Sequence, residues 1–220
     1  IMMDCSILMN STSVITPPLP ANNSGGGLFL SGDTLSFKNI LISNNTSARG
    51  GGVCIYGLTG VMENITIEHN ASENWGGGVY LGGADIMFEN STIQSNTCQG
   101  SGGGLHINGG GCIFKNIGLI NNSSENGAGV FADRSSTEFY DCTITTNIAD
   151  DSGGGIHTTN DASSFSRCLI ASNSANGNSH NSHGGAGVYF WYGSSSLKEC
   201  IVVNNNAANR GGGIMVSGGQ

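Results

Sequence analysis

The chain has 220 residues, of which 37 are glycine, only 10% are charged, and the formal net charge is −8. Glycine this frequent without a collagen triplet, beside 37% hydrophobic residues, excludes a disordered tail and a helical bundle. Seven basic residues against fifteen acidic ones, with no basic cluster, argue against nucleic acid as a partner. No apolar run approaches the roughly 20 residues that a membrane-spanning helix needs.

A nine-residue unit recurs along the whole chain. Each copy has an aliphatic sixth residue and ends in asparagine, and the copies begin at Met2, Phe37, Met62, Phe88, Phe114, Phe139, Phe165 and Leu197. A glycine-rich unit follows each copy, at Gly25, Gly50, Gly76, Gly102, Gly127, Gly153, Gly185 and Gly211. The glycine units are 25, 26, 26, 25, 26, 32 and 26 residues apart. A fixed period in this range is typical of a stacked-repeat protein.

Each repeat contains three short strand candidates between glycine or asparagine turns. In the third full coil they are Val79–Leu81, Ile86–Phe88 and the segment around Ser91–Ile93. Such strands cannot enclose a core alone, but coiling lets each pair with its equivalent about 4.8 Å away. The sequence therefore predicts an all-β fold, a right-handed parallel β-helix of about eight coils with about 26 residues and three strands per coil.

The last residue of each nine-residue unit has a predicted structural role. An asparagine amide can hydrogen bond to the same side chain one coil away and to turn backbone, and asparagine tolerates a sharp corner. We expect a ladder along the coils, formed by Asn45, Asn70, Asn96, Asn122, Asn147, Asn173 and Asn205, with Asn10 at its start.

Residues 1–220 are interpreted as a single β-helix segment that belongs to a longer chain, because neither end carries the polar cap of a solenoid. Insertions at residues 11–24 and 174–184 interrupt the period at the same corner. They are either tolerated insertions or protruding recognition loops.

The motifs resemble a known family. Gly-Gly-Gly followed by an aliphatic residue, as at Gly102, alternates with Phe-x-Asn, as at Phe88, and with Ile-x-x-Asn, as at Ile42. This pattern covers essentially the whole chain and is similar to the polymorphic outer membrane protein repeats of chlamydial surface autotransporters and related right-handed β-helix proteins. The resemblance implies an extracellular, often adhesive passenger and transfers no catalytic residues.

Cysteine and asparagine chemistry leaves two questions open. Cys142, Cys168 and Cys200 occupy one inward position in consecutive coils, where either a disulfide or a column of buried thiols is feasible. No zinc-type spacing occurs, and no metal or cofactor is expected. Nine glycosylation sequons occur, of which Asn22 and Asn44, at corners, are the better acceptors, while ladder asparagines are expected to be blocked.

The middle residue of the strand after each glycine corner is predicted to face outward. These residues, together with the nearby Trp191, form an exposed stripe that serves as a sugar platform or as a contact face between rods. Its members are Phe29, Cys54, Tyr80, His106, Phe131, His157, Tyr189 and Met215. Ordinary stacking on a sheet surface is the alternative interpretation.

The expected function is that of a non-catalytic, extracellular structural or adhesive module of a cell surface or filament. Its partners are other subunits, copies of itself or surface glycans, with no nucleic acid. The alternative is a carbohydrate-active β-helix lyase or hydrolase, or a glycan-binding module. Hydrolysis needs two close carboxylates, and the adjacent pair Asp150-Asp151 is more simply interpreted as a solvated turn.

Overall fold

The structure, a computed structural model, describes residues 5–8, 24–177 and 184–218. These residues contain no helix, and thus none that is long and apolar enough to cross a membrane. Every strand pairing among them is parallel and joins one coil to the next, as in Val79–Gly82 with Leu105–Asn108. The chain forms a parallel β-solenoid of about seven turns with about 26 residues per turn, so the predicted fold class is confirmed.

Three sheets run along the rod within the described ranges. The first sheet follows the glycine corners and has eight strands: Leu28–Ser31, Val53–Tyr56, Val79–Gly82, Leu105–Asn108, Val130–Asp133, Ile156–Asp161, Val188–Gly193 and Ile214–Ser217.

The second sheet carries the nine-residue units and has thirteen strands in the same ranges: Cys5–Leu8, Thr34–Ser43, Thr59–Glu68, Asp85–Glu89, Thr92–Gln94, Ile113–Lys115, Gly118–Ile120, Glu138–Tyr140, Thr143–Thr145, Ser164–Ser166, Leu169–Ala171, Ser196–Lys198 and Ile201–Val203. Thr34–Ser43 and Thr59–Glu68 are continuous where later coils have two short strands.

The third sheet follows the asparagines and has seven strands in the described part of the chain: Thr46–Arg49, Ala71–Trp75, Thr97–Cys98, Ser123–Asn126, Ile148–Ser152, Ser174–Ala175 and Asn206–Ala207. The sequence analysis did not predict these strands. They have two to five mostly polar residues, too few to show the alternation by which a strand is recognised.

Each coil turns at residues whose backbone has a positive φ. In the coil that starts at Gly102 these are Gly102, Gly109, Gly110, Asn116 and Asn121, with φ of 77°, 72°, 89°, 53° and 54°. A left-handed residue with a Cβ normally costs about 1–2 kcal/mol, and glycine and asparagine tolerate that conformation best. The frequency of these two residues is thus a direct consequence of the number of corners.

The interior is built from columns of identical or similar side chains. Phe88, Phe114, Phe139 and Phe165 are fully buried, and their ring centroids are separated by 5.2, 4.7 and 4.5 Å with interplanar angles of 8–13°. The aliphatic sixth residues of the units are equally buried, namely Ile42, Ile67, Ile93, Leu119, Ile144 and Ile170. Offset stacking of rings in consecutive coils adds to the free energy gained by burying their surface.

The terminal asparagines form a hydrogen-bonded column. The Asn122 Nδ2 donates to Asn147 Oδ1 at 3.1 Å and to the Ile93 carbonyl at 3.0 Å. The Asn122 Oδ1 accepts from the Asn96 backbone nitrogen at 3.0 Å and from the Asn96 Nδ2 at 3.1 Å. Side-chain bonds of 3.0–3.1 Å link the seven asparagines of this asparagine column in order, Asn45, Asn70, Asn96, Asn122, Asn147, Asn173 and Asn205.

Candidate functional site

The predicted exposed stripe lies on the first sheet but is largely covered. Tyr80, His106, His157 and Tyr189 are only 4–6% exposed, and Cys54 is fully buried. Phe131 and Met215 are half-buried, and of the stripe and Trp191 only Phe29 and Trp191 are exposed, at 51% and 44%. The expectation of a continuous exposed surface was therefore wrong.

The glycine corner explains this burial. The chain turns so sharply at each corner that the residue five positions earlier lies against the stripe residue, as Trp75 does against Tyr80, with ring centroids 6.1 Å apart. A Cβ added at Gly127 would lie 2.8 Å from the Phe131 Cβ. Side chains that point away from the core are thus covered by the end of the third sheet.

The rings of successive coils contact one another in a line along the rod, which we call the ring row: Tyr80, His106, Phe131, His157 and Tyr189. Their centroids are 5.4, 4.9, 4.9 and 4.8 Å apart. At the other end of the rod Tyr56 continues the line to Phe29, at 6.1 Å. The predicted binding residues are therefore brought together, but as a packed row.

A cleft of about 200 Å³ opens beside one end of the ring row. Its walls come from the end of the third sheet and from the first sheet, and it is lined by Ser101, Asn126, Phe131, Asp151, Ser152, His157, Tyr189 and Trp191. Tyr189 and Trp191 belong to one strand, Val188–Gly193, and Asp151 and Ser152 to another, Ile148–Ser152. Because Trp191 is exposed, the cleft is open to solvent.

A hydrogen-bond chain orients the imidazole in the cleft. The Ser152 hydroxyl donates to Asn126 Oδ1 at 2.7 Å and lies 3.1 Å from His157 Nδ1. When the single hydroxyl proton points to Asn126, His157 Nδ1 must carry a proton and donate it to Ser152. His157 therefore does not act as a base toward Ser152 in this arrangement, which is not that of an activated serine nucleophile.

Burial determines the charge state of several groups near the ring row. The pKa of His106 is lowered to about 4 because burial disfavours its charged form. A hydrogen bond between Nδ1 and the Ser101 carbonyl, at 3.1 Å, raises the pKa but offsets only part of this effect. Burial raises the pKa of Tyr189, and the negative charge of Asp151 raises it further. The side chains of His106 and Tyr189 are accordingly uncharged at pH 7.

The acidic pair does not form a turn. Asp150 and Asp151 lie in the strand Ile148–Ser152, where Asp150 is exposed and Asp151 is only 4% exposed. Interpreting both as a solvated turn was thus wrong for Asp151, because a strand alternates its side chains between two environments. Among the described residues no group of three or more His, Cys, Asp or Glu side chains is placed to hold a metal ion.

Another buried carboxylate, Asp161, is occupied by backbone and serine donors. Its Oδ2 accepts from the Ser135 nitrogen and hydroxyl at 2.8 and 2.6 Å, and its Oδ1 accepts from the Ser163 nitrogen and Ser195 hydroxyl at 2.8 and 3.1 Å. These four bonds join three coils where the first sheet ends. Asp161 therefore has a structural part in the rod.

Cys142, Cys168 and Cys200 are free thiols in the structure, at equivalent corner positions. Each Sγ donates to the carbonyl two residues earlier, at 3.3 Å for Cys142 and 3.4 Å for Cys168 and Cys200. A hydrogen bond between the Cys142 and Cys168 thiols lowers the pKa of Cys142 and raises that of Cys168. Ser91 fills the equivalent place with a 2.7 Å bond to the Glu89 carbonyl, whereas Ile40, Ile65 and Ile117 fill it in other coils.

The exposed sequon asparagines occupy corners with positive φ. They are Asn44, Asn64, Asn90 and Asn121, of which only Asn44 was favoured from the sequence. Asn45, Asn70 and Asn122 are at most 1% exposed within the asparagine column. Asn10 and Asn22, like most of the first insertion and residues 178–183 of the second, lie outside the described residues.

Sequence reasoning missed Ser101, Asn126 and Ser152, and it assigned Asp151 to a solvated turn. Ser101, Asn126 and Ser152 share the position just before the glycine corner, and they pair with one another across coils. Tabulating that position across the repeats, as was done for the ring row, would have found these three. Asp151 gave no such signal, because its burial depends on the strand Ile148–Ser152.

Comparison with known proteins gives one family. No curated protein and no solved structure matches the chain significantly. The family model described as the right-handed beta helix region matches residues 59–220, which is most of the chain and includes the whole cleft. Together with the parallel coils and their register, this match establishes that the chain belongs to the right-handed β-helix family.

Proposed function

We propose that this chain is a non-catalytic, extracellular structural or adhesive β-helix module, a component of a cell surface or filament. The observation that carries the proposal is a set of exposed aromatic side chains on a rod with extensive coil-to-coil bonding. Trp191 and Tyr192 are 44% and 50% exposed on a first-sheet strand with ring centroids 5.9 Å apart, and Trp75, at the end of a third-sheet strand in another coil, is 37% exposed. Exposed aromatic groups on a rigid scaffold are typical of contact surfaces.

Two further observations support an extracellular surface role. Four sequon asparagines lie exposed at corners, where a glycan would extend into solvent. The Gly-Gly-Gly and Phe-x-Asn pattern resembles the polymorphic outer membrane protein repeats, whose members are surface passengers. The proposed partners are accordingly other subunits, copies of this chain or surface glycans.

The test is electron microscopy of the native source material, followed by a paired mutant comparison. Trp191→Ser combined with Tyr192→Asn removes exposed aromatic surface, and asparagine keeps the positive φ of Tyr192, which is 55°. Ile148→Ser with Leu169→Ser removes exposed apolar surface on the other two sheets and is the control. Weakened assembly or surface binding in the first pair alone supports the proposal, whereas equal behaviour of the two pairs contradicts it.

A carbohydrate-active enzyme or glycan-binding module is the second candidate, and the cleft favours it. Asp151 and His157 lie beside Phe131 and Trp191, whose rings can stack on a sugar. Asp151→Asn should abolish turnover of a responsive polysaccharide if Asp151 is an acid or base, whereas Asp150→Asn, at the exposed neighbour, should not. Polysaccharide turnover that survives Asp151→Asn would remove Asp151 from the mechanism.

A further inference from the structure

The geometry of the ring row changes where it meets the cleft. Tyr80, His106 and Phe131 stack nearly flat on one another, with interplanar angles of 28° and 23°. Beyond Phe131 the angles open to 47° for Phe131–His157, 64° for His157–Tyr189 and 68° for His157–Trp191. Centroids of the last three pairs are 4.9, 4.8 and 6.5 Å apart, so the four rings are tilted against one another where they line the cleft.

One wall of this space is acidic. Asp151 is the only acidic side chain among the residues that line the cleft, all of which lie within the described part of the chain. The Asp151 charge acts on Tyr189 at the opposite wall, since it disfavours ionisation of that phenol. The whole chain, at −8, adds to this field.

Aromatic faces arranged around a small space next to a carboxylate attract an organic cation. The negative faces of the rings and the carboxylate both stabilise a positive charge, and the ring surfaces replace water around methyl groups. A trimethylated ammonium suits such a site better than a primary amine, because it has no N–H donors that would need hydrogen-bond partners. The cleft volume of about 200 Å³ exceeds several-fold the roughly 30 Å³ that a water occupies in the liquid.

We propose that the cleft formed by Phe131, Asp151, His157, Tyr189 and Trp191 binds a quaternary trimethylammonium group. The site goes beyond a structural or adhesive role, since it needs only one rod and no assembly. Two sources carry this chemistry, a free choline-type solute and the headgroup of a choline lipid. Binding displaces water and involves no covalent step.

The decisive comparison is between choline and its neutral carbon isostere, 3,3-dimethylbutan-1-ol, measured by calorimetric titration of the intact chain. We expect choline to bind about tenfold more tightly or better, because only choline gains the cation–π and carboxylate attraction. Equal affinities for the two compounds, or no binding of choline, would overturn the proposal.

Two matched pairs of variants assign the site. Asp151→Asn should weaken choline binding about tenfold without changing binding of the isostere, whereas Asp150→Asn, with the same loss of charge one residue away, should leave both unchanged. Trp191→Leu should weaken choline binding similarly, whereas Trp75→Leu, outside the cleft, should not. Circular dichroism checks that each variant is folded. Equal effects within either pair would show that choline binds elsewhere and overturn the assignment.

Phosphatidylcholine vesicles distinguish the sources. Binding of choline with sedimentation on these vesicles, but not on phosphatidylglycerol vesicles, identifies a lipid headgroup as the ligand. Binding of choline with no vesicle sedimentation identifies a free solute. Either outcome supports a trimethylammonium site, whereas sedimentation on both vesicle types that Asp151→Asn does not alter contradicts it.

Discussion

Individual residues in this protein act mainly by joining one coil to the next. The four bonds of Asn122 connect three coils through one buried amide, and no apolar residue of similar size can replace them. His106 instead occupies a ring position at which a charged form is excluded by burial. The hydrogen bonds of Asn122 and the neutral state of the buried His106 therefore both affect the stability of the rod.

Replacing Asn122 by alanine should be strongly destabilising. The change leaves the Asn96 nitrogen and the Ile93 carbonyl without this partner in a buried setting, at a cost of about 1–3 kcal/mol for each group left unsatisfied. We expect the free energy of unfolding in urea to fall by about 3 kcal/mol or more. Asn108→Ala, at an exposed strand end, is the control and should change it by less than about 0.5 kcal/mol.

Acidification should destabilise the fold through His106. Its pKa is about 4 in the folded chain and 6.5 for an unperturbed imidazole, so between these pH values the unfolded chain binds more protons. Stability is then full above pH 6.5 and decreases as the pH falls toward 4, by up to roughly 3 kcal/mol. His106→Phe, which matches Phe131 one coil on, should flatten this dependence in denaturation curves measured across the window. An unchanged pH slope in that variant would contradict the assignment.

At the scale of elements, the coil is a set of short strands that are stable only through their neighbours. A three-residue strand such as Glu138–Tyr140 buries a single large side chain, Phe139, and depends on Phe114 and Phe165 above and below it. Each strand is therefore specified by one inward residue and by its pairing register. This arrangement explains why Met62 and Leu197 can take the same place in other coils.

Phe139→Ala should reveal that dependence. The substitution removes a fully buried ring that lies 4.7 and 4.5 Å from its two neighbours, and we expect a loss of about 3–5 kcal/mol in the free energy of unfolding. Phe139→Met keeps most of the volume, has a precedent at Met62, and should cost less than about 1.5 kcal/mol. Similar losses in the two variants would argue that packing volume matters little here and that the ring itself is required.

At the scale of the whole molecule, a solenoid contacts itself only between adjacent coils. Its stability is approximately a sum of coil energies and interface energies, and local opening exposes one coil at a time. The cysteines are distributed along the rod and report on this opening. Cys54, Cys98, Cys112, Cys142 and Cys168 are buried, whereas Cys200 is half-buried.

Pulsed alkylation at pH 8 should therefore label Cys200 first. Burial raises the pKa of Cys54 to about 11 and that of Cys112 to about 12, so both thiols are protonated as well as covered. Residue-resolved mass spectrometry should show these two labelled only when denaturant opens their coils. Rapid native labelling of Cys54 or Cys112 would contradict the packing described for these coils.

Alkylation of Cys142 and Cys168 after unfolding without reductant confirms that they are thiols, whereas its failure indicates a disulfide.

The repeat period and the parallel stacking of the coils were determined by the sequence alone, whereas the structure has about seven turns where the sequence predicted about eight coils. Glycine, asparagine and one aliphatic residue recur at constant spacing, and parallel pairing one coil apart is the arrangement that satisfies all of them together. The repeat pattern is sufficient to predict the stacking, because each residue pairs mainly with the equivalent residues of the two adjacent coils, as Phe114 does with Phe88 and Phe139.

Only the tertiary structure decided which outward residues are exposed. Tyr80 and His157 point away from the core, but the left-handed glycine corner folds the end of the third sheet over them, and no pattern within the strand contains that information. The cleft, like this burial, could not be predicted from the pattern within any one strand. It exists because rings from adjacent coils tilt apart beside Asp151, a consequence of three coils packing side by side.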